Sequence, residues 1–227
     1  MARKRYENTT RMEIIHVGVQ LMLEKGFTAT TIKEISEILE ISKGNITFYF
    51  PTKEHLLLEF AKEVVRFHTQ SIDEVQEGGY GNLLAYCWEI VAQIAVCEND
   101  EKMKDLYLAL YSHPQTLSLI KDWTAEKNYK LLHEYVPDWT VEGFRVVENV
   151  ACCIERSALT EACTETYTFE TKVRLTLGSL LRLYDIDPKE REKVIDQITK
   201  MDYKQVGQTL QKEFVKYVEE TNQIELR

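Results

Sequence analysis

Proline and long apolar runs are scarce in this sequence. Only 4 of its 227 residues are proline, while 44% are hydrophobic and 10% aromatic, which predicts a folded core rather than disorder. No apolar stretch approaches the roughly 18 residues that a membrane span needs. The basic start, Met1 to Arg5, leads into polar residues and not into the apolar core of a signal peptide. We therefore expect a cytoplasmic protein with no membrane partner.

Cysteine is present in an odd number and without any C-x-x-C pair, which argues against a disulfide framework or a zinc site. Reduced, mostly buried thiols are the favoured interpretation, and a redox sensor is the minor alternative. The five cysteines are Cys87, Cys97, Cys152, Cys153 and Cys163.

Motifs of catalysis and metal binding are also missing. The five histidines show no zinc-site spacing, and there is no G-x-S-x-G, phosphate loop or dinucleotide fingerprint. Glu155 and Glu161 are interpreted as surface carboxylates on helices. We expect no metal, no cofactor and no enzyme activity.

The charge is unevenly distributed along the chain. The net charge is −9, yet residues 1–53 contain eight Lys or Arg and six Glu, which gives them +2 and leaves −11 for the rest. A mildly basic N-terminal part on an acidic remainder is compatible with phosphate contact at that end alone.

Apolar residues recur at spacings of three and four almost throughout, which predicts an all-α fold. Residues 77–82 are glycine-rich and predict a loop. Phe27, Ile35, Ile38, Ile46 and Phe50 are interpreted as the core of a small N-terminal unit. The predicted helices span about 10–25, 31–39, 42–49, 52–75, 82–97, 101–111, 115–135, 141–163, 169–185, 189–199 and 203–220.

Capping signals divide the first fifty residues into three helices. Thr10 with Glu13, and Thr31 with Glu34, have the spacing of capping boxes. Gly26 supplies a left-handed stop for the first helix, and Ser42 can cap the third.

The second and third helices, separated by a short turn, form a candidate helix-turn-helix. In such a unit the start of the second helix meets base edges in the major groove of DNA. Here that start offers Ser42, Lys43, Gly44 and Asn45, of which Lys43 and Asn45 can donate to bases or phosphate. A helix pair alone is a weak signal, because many core hairpins share its pattern.

The surrounding motifs are more specific. Residues 26–35 (GFTATTIKEI), 41–46 (ISKGNI) and 49–57 (YFPTKEHLL) closely resemble the N-terminal signature of the TetR family. That signature has GF-x-x-TT before its second helix, IS-x-G at the start of the third, and Y-F-x-x-KE-x-L leading into the fourth. The resemblance covers about residues 10–57.

The resemblance implies a homodimeric regulator, usually a repressor, whose paired heads bind a palindromic double-stranded DNA operator. A small molecule in the C-terminal domain then shifts the fourth helix and changes the spacing of the heads. It implies phosphate contacts for Tyr49 and Lys53. The predicted DNA-binding residues are Thr30, Thr31, Ser42, Lys43, Gly44, Asn45, Thr47, Phe48, Tyr49 and Lys53.

Three positions depart from the family pattern. Glu40 stands where members usually have Gly, Thr47 where they usually have a phosphate-binding Tyr, and Ser36 where they usually have Ala. The first two bear on the operator rather than on the fold. Residues 3–5, Arg-Lys-Arg, are either a disordered tail or an arm that reaches the minor groove.

The remaining chain, residues 53–227, is predicted to bind the ligand and to dimerise, and residues 1–52 to bind DNA. Aromatic residues of the middle are candidate ligand contacts, each with plain core packing as its alternative: Tyr86, Trp88, Tyr107, Tyr111 and Trp123. Two apolar helices near the C-terminus are a candidate dimer interface, with burial inside one subunit as the alternative: Val147, Ala151, Ile154, Val173, Leu177, Leu181 and Tyr184.

Two other classes stay open. One is a helical ligand-binding or scaffolding protein whose head has lost specific DNA binding, which Glu40 and Thr47 motivate. The other is an α-helical enzyme, for which the sequence offers no residue constellation.

Overall fold

The computed structural model describes residues 2–77 and 81–225, and the side chains of residues 9–74 and 81–221. These residues form helices and no strand, which confirms the all-α prediction. The helices are α1 (Ala2–Ala29), α2 (Ile32–Ile38), α3 (Lys43–Tyr49), α4 (Lys53–Glu77), α5 (Asn82–Asn99), α6 (Glu101–Ser112), α7 (Pro114–Leu132), α8 (Val141–Thr160), α9 (Phe169–Leu183), α10 (Pro188–Ile198) and α11 (Tyr203–Glu225).

The start of the first helix was predicted wrongly. α1 begins at Ala2, so that Thr10 is a buried residue inside the helix and not its N-cap. Alanine, arginine, lysine and glutamate are good helix formers, and they carry the helix through the expected boundary. The side chains of residues 3–5, the candidate DNA arm, and residues 78–80 of the predicted loop lie outside the described residues.

The helix-turn-helix forms as predicted, and the turn takes a left-handed residue. Glu40 has φ 53°, and the Ile41 N–H donates to the Ser36 carbonyl at 3.1 Å, the hydrogen bond of a Schellman motif. Glu40 therefore occupies the position where glycine is best suited, and it does so without altering the turn.

The head, α1 to α3, has a small core of its own. Ile35, Ile46 and Phe50 are buried, and Phe27 is partly buried against them. Ile38, predicted to be core, is 53% exposed. The division at residue 52 remains a prediction, because α1 also packs along α6 of the body, α4 to α11.

The body surrounds α5, which is buried on almost every side and contacts α4, α6, α7, α8, α10 and α11. A helix buried on every side is expected to carry apolar residues all round, and most residues of α5 are apolar. Among the described residues, no helix has the length and apolarity needed to cross a bilayer.

Most of the residues predicted for a dimer interface lie in the core of a single chain. Val147 and Ile154 are half-buried, whereas the other five are buried: Ala151, Val173, Leu177, Leu181 and Tyr184. Helix α8 packs on α9, and both pack against α5, so their most apolar faces point inward. The large apolar side chains exposed on these two helices are instead Val146, Val150 and Leu175.

Candidate nucleic-acid interface and inner cavity

The first turn of α3 presents its polar groups to solvent. The Ser42 hydroxyl caps the helix by accepting from the Asn45 N–H at 3.2 Å. Lys43, Gly44 and Asn45 are exposed, so the ammonium and the carboxamide are free to meet DNA from one side. These residues lie together at the surface, as the sequence predicts.

The rest of α3 has one face in the core of the head and one face exposed to solvent. Ile46 is fully buried, while Phe48 is 75% exposed and contacts the half-buried Tyr49 edge-on at 5.1 Å between ring centroids. Thr47 is exposed and donates to the Gly44 carbonyl at 3.2 Å. An exposed phenyl ring on such a helix can contact a thymine methyl group.

The two threonines before α2 behave differently from each other. Thr31 is exposed and caps α2, accepting from the Glu34 N–H at 3.2 Å, as predicted. Thr30 is 0% exposed and donates to the Gly26 carbonyl at 2.8 Å. A buried hydroxyl with its own partner cannot reach DNA, which argues against the predicted DNA contact of Thr30.

The ammonium group of Lys53 is also occupied by contacts within the protein. Its ammonium donates to the carbonyls of Phe27 at 2.7 Å and Thr30 at 3.0 Å, with Thr28 at 3.4 Å. It also lies 4.1 Å from the centre of the Phe27 ring. Desolvation lowers the pKa of Lys53, although Glu54 and Asp105 oppose the shift. Since an ammonium has three donors, a phosphate contact by Lys53 would require it to release a carbonyl.

The segment between α1 and α2 is held to the body by Asp105 of α6. Its carboxylate accepts from the Thr28 N–H at 2.8 Å and from the Thr28 hydroxyl at 2.6 Å. Gly26 has φ 87° and ψ 171°, and a Cβ atom there would lie 2.6 Å from Asp105 Oδ2. The close approach of Asp105 thus needs glycine at this position.

The body contains an inner cavity, defined here by the aromatic side chains Tyr107, Tyr111 and Trp123 and the polar side chains His68, Glu89, Lys127 and Glu155. Three of the five predicted ligand residues therefore meet there. The other two do not line it: Tyr86 is buried edge-on against Tyr184, and Trp88 is half-buried. Core packing is the interpretation the structure supports for these two.

The polar groups of the inner cavity were missed by sequence reasoning. Lys127 forms an ion pair with Glu89, whose other oxygen accepts from Gln93 at 3.1 Å. The Nε2 atom of His68 lies 3.1 Å from the Tyr107 hydroxyl, and burial lowers the pKa of His68 to about 4, which leaves the ring neutral.

Glu155 was predicted to lie at the surface, and this was wrong, because the residue is only 5% exposed; Glu161 is exposed as predicted. Oε2 of Glu155 accepts from the Tyr111 hydroxyl at 2.9 Å, and Oε1 has no hydrogen-bond partner. Burial, with Glu148 and Glu89 nearby, raises the pKa of Glu155 to about 8.

The signal for these carboxylates was present in the sequence. Glu89 is the only charged residue between Leu83 and Cys97, and Glu155 lies four residues from both Ala151 and Leu159 on the apolar face of α8. A charged residue on an apolar helix face is a candidate for burial with a partner, because an unpaired charge is rarely buried. Among the described residues, no three His, Cys, Asp or Glu side chains gather into a group that could hold a metal ion.

Comparison with known proteins agrees with the head geometry. Residues 14–60 match the family model described as bacterial regulatory proteins, tetR family. The transcriptional repressor NemR of Escherichia coli strain K12 is 30% identical over 94 residues, 40% of this chain and 47% of that protein. The regulator QacR of Staphylococcus aureus strain Mu50 is 45% identical over 47 residues, 21% and 25% of the two chains.

A third relative aligns over a longer stretch. The regulator HbdR of Aromatoleum sp. strain CIB is 27% identical over 151 residues, 64% of each chain. The chain spans about half the length of the curated relatives it matches. All three are named as helix-turn-helix transcription regulators. The family-model match, residues 14–60, includes the exposed α3. The N-terminal part of the chain is a TetR-family helix-turn-helix domain.

Proposed function

We propose that the protein is a DNA-binding transcription regulator, acting as a repressor in the cytoplasm, that binds a palindromic operator as a homodimer and releases it when a small molecule binds the body. The observation that carries the proposal is the exposed face of α3 on a packed TetR-type head. Lys43, Asn45 and Phe48 are the exposed groups that can read base edges there.

Dimerisation is supported by the surface of α8 and α9. Val146, Val150 and Leu175 leave an apolar strip exposed on these two helices. Two copies related by a two-fold axis would cover the strip and form a four-helix bundle. A dimer also presents two α3 helices, which a palindromic operator requires.

A route from ligand to DNA is supported by the two contacts of α6. Tyr107 and Tyr111 of this helix line the inner cavity, and Asp105 of the same helix holds the segment that leads into α2. A ligand that prefers a shifted α6 would change the position of the head, and DNA would then prefer the other state.

The test is a titration of the protein against DNA fragments selected from a random pool, at several salt concentrations. We expect Lys43→Ala to weaken binding and to lower the salt slope by about one unit if it touches phosphate. Asn45→Ala should cost roughly 1–3 kcal/mol and relax the preference at one or two positions per half-site. Lys193→Ala is the control, because that side chain is 73% exposed on α10 of the body.

The alternative, a helical binding protein whose head no longer binds DNA, makes a different prediction. No fragment would then be bound in a salt-dependent manner, and Lys43→Ala would behave like Lys193→Ala. That result would refute the proposed function.

A further inference from the structure

We propose that the inner cavity binds a small organic cation, an ammonium group carried on one aromatic ring by a short alkyl chain, with Glu155 as its counter-ion. The inference rests on the proposed function in so far as this cavity is taken as the effector site. The binding itself is a property of the body and can be measured without DNA.

The cavity brings ionisable side chains from five helices together. The cavity itself has a volume of ≈ 20 Å³. A space of this size holds an ammonium head but not a ring, so the ring of the ligand lies in the neighbouring outer cleft described below. The groups that face Glu155 of α8 are His68 of α4, Glu89 of α5, Tyr107 and Tyr111 of α6, Lys127 of α7 and, on its own helix, Glu148.

The single lysine that lines the cavity is paired with another carboxylate and offsets Glu155 only in part. Lys127 forms its ion pair with Glu89, and its ammonium lies 4.6 Å from the centre of the Trp123 ring. His68 is neutral because burial lowers its pKa to about 4. Within the described part of the chain Glu155 forms no ion pair. The cavity therefore has an excess of carboxyl groups over cations.

The Oε1 atom of Glu155 indicates which group the ligand should supply. Glu155 lines the cavity, and its buried Oε1 has no hydrogen-bond partner, so ionisation of this carboxyl is costly until a donor arrives. An ammonium N–H would supply both the donor and the positive charge. The faces of Tyr107, Tyr111 and Trp123 also attract cations.

An outer cleft between α4 and α7 gives a way in. It has a volume of ≈ 110 Å³, which accommodates one aromatic ring, and it shares Trp123 and Lys127 with the inner cavity. The indole N–H of Trp123 donates to the Thr69 hydroxyl of α4 at 3.0 Å. Rotation of this one side chain would connect the cleft to the cavity.

The first experiment is isothermal titration calorimetry of the full-length protein with three ligands of one shape: 2-phenylethylamine, 2-phenylethanol and phenylacetate. We expect the amine to bind at least about tenfold more tightly than the alcohol, and phenylacetate to bind least. If phenylacetate binds most tightly, Lys127 is the anchor and the inference is overturned. Failure of the amine to bind at millimolar concentration also overturns it.

The second experiment uses Glu155→Gln, which keeps the shape and removes the charge. We expect it to weaken the amine roughly tenfold or more and to leave the alcohol almost unchanged. Glu161→Gln is the control, because Glu161 is exposed at the end of the same helix. Circular dichroism and melting curves establish that each variant is folded.

Proton release gives a readout that does not depend on any variant. The raised pKa of Glu155, about 8, means that the carboxyl is protonated near pH 7 in the free protein and must ionise when the cation binds. Calorimetry in two buffers of different ionisation enthalpy should show close to one proton released, and affinity should rise with pH up to about 8. Binding without proton release would contradict the role of Glu155, and loss of DNA binding alone would refute only the proposed function.

Discussion

At the scale of single residues, the turn of the helix-turn-helix shows backbone geometry prevailing over side-chain preference. Glu40 adopts φ 53° because the Schellman hydrogen bonds at the end of α2 require a left-handed residue there. A non-glycine residue in that region costs roughly 1–2 kcal/mol. The cost is a local one that the packing of Ile35 and Ile46 in the head core can offset.

Glu40→Gly should therefore stabilise the protein by about 0.5–1 kcal/mol, since the relief of strain exceeds the extra entropy of glycine in the unfolded chain. Urea denaturation followed by circular dichroism measures the change. Glu37→Gly, three residues earlier inside α2, is the control and should destabilise by about 1 kcal/mol. Equal destabilisation by both variants would show that residue 40 does not need the left-handed conformation.

Lys53 provides the second test at this scale. Lys53→Met should lower the melting temperature, because the carbonyls of Phe27 and Thr30 lose a charged donor, at a cost of about 1–3 kcal/mol. A lysine that served only to touch phosphate would leave the melting temperature unchanged and reduce the salt slope of DNA binding. Thermal melting without DNA distinguishes these two roles.

Residues that interact with near neighbours in the sequence were the most predictable part of the site. Ser42 and Thr31 cap their helices through hydrogen bonds that span three residues, so the sequence alone is sufficient. The roles of Thr30 and Lys53 depend on how the segment between α1 and α2 folds back onto α4, 23 residues away for the Thr30–Lys53 contact. Such a contact leaves no periodic pattern in the sequence.

At the scale of elements, α6 contacts both the head and the inner cavity. It spans only Glu101–Ser112, yet Asp105 holds Thr28 of the head and Tyr107 lines the inner cavity. Helix positions were predicted well because apolar spacing is repeated many times along each helix. The start of α1 was missed because the Thr10–Glu13 motif also fits the interior of a helix, and nothing local breaks the chain before it.

Asp105→Ala should separate ligand binding from the response of the head. We expect the variant to bind the amine ligand and DNA with nearly unchanged affinity separately, while the ligand's effect on DNA affinity falls severalfold. DNA titrations with and without saturating ligand measure this coupling. Glu101→Ala, whose side chain is 87% exposed on the same helix, should keep the full coupling. An unaltered coupling in Asp105→Ala would place the route elsewhere.

At the scale of the whole molecule, the proposed dimer depends on which faces of α8 and α9 remain exposed. Leu177 and Leu181 are buried inside one chain, so a charge at either position should unfold the chain rather than give a folded monomer. Sequence periodicity located these two helices but could not tell which of their apolar faces points inward. That choice is set by α5, which packs against both helices.

Val150→Asp should therefore give a folded monomer. Val150 is 52% exposed, so the charge stays in water in the single chain and becomes buried without a partner only when two copies meet. Light scattering should show a dimer for the wild type at micromolar concentration and a monomer for the variant, with unchanged helix content by circular dichroism. Leu108→Asp is the control, because Leu108 is an exposed apolar residue of α6 that does not belong to the strip, and its replacement should leave the dimer intact. Since a palindromic operator needs two α3 helices at a fixed spacing, the Val150→Asp monomer should also lose most of its operator affinity while retaining weak, salt-sensitive binding to any DNA. A dimeric Val150→Asp protein, or a wild type that is already monomeric, would show that the apolar strip of Val146, Val150 and Leu175 is not the surface on which two copies pair.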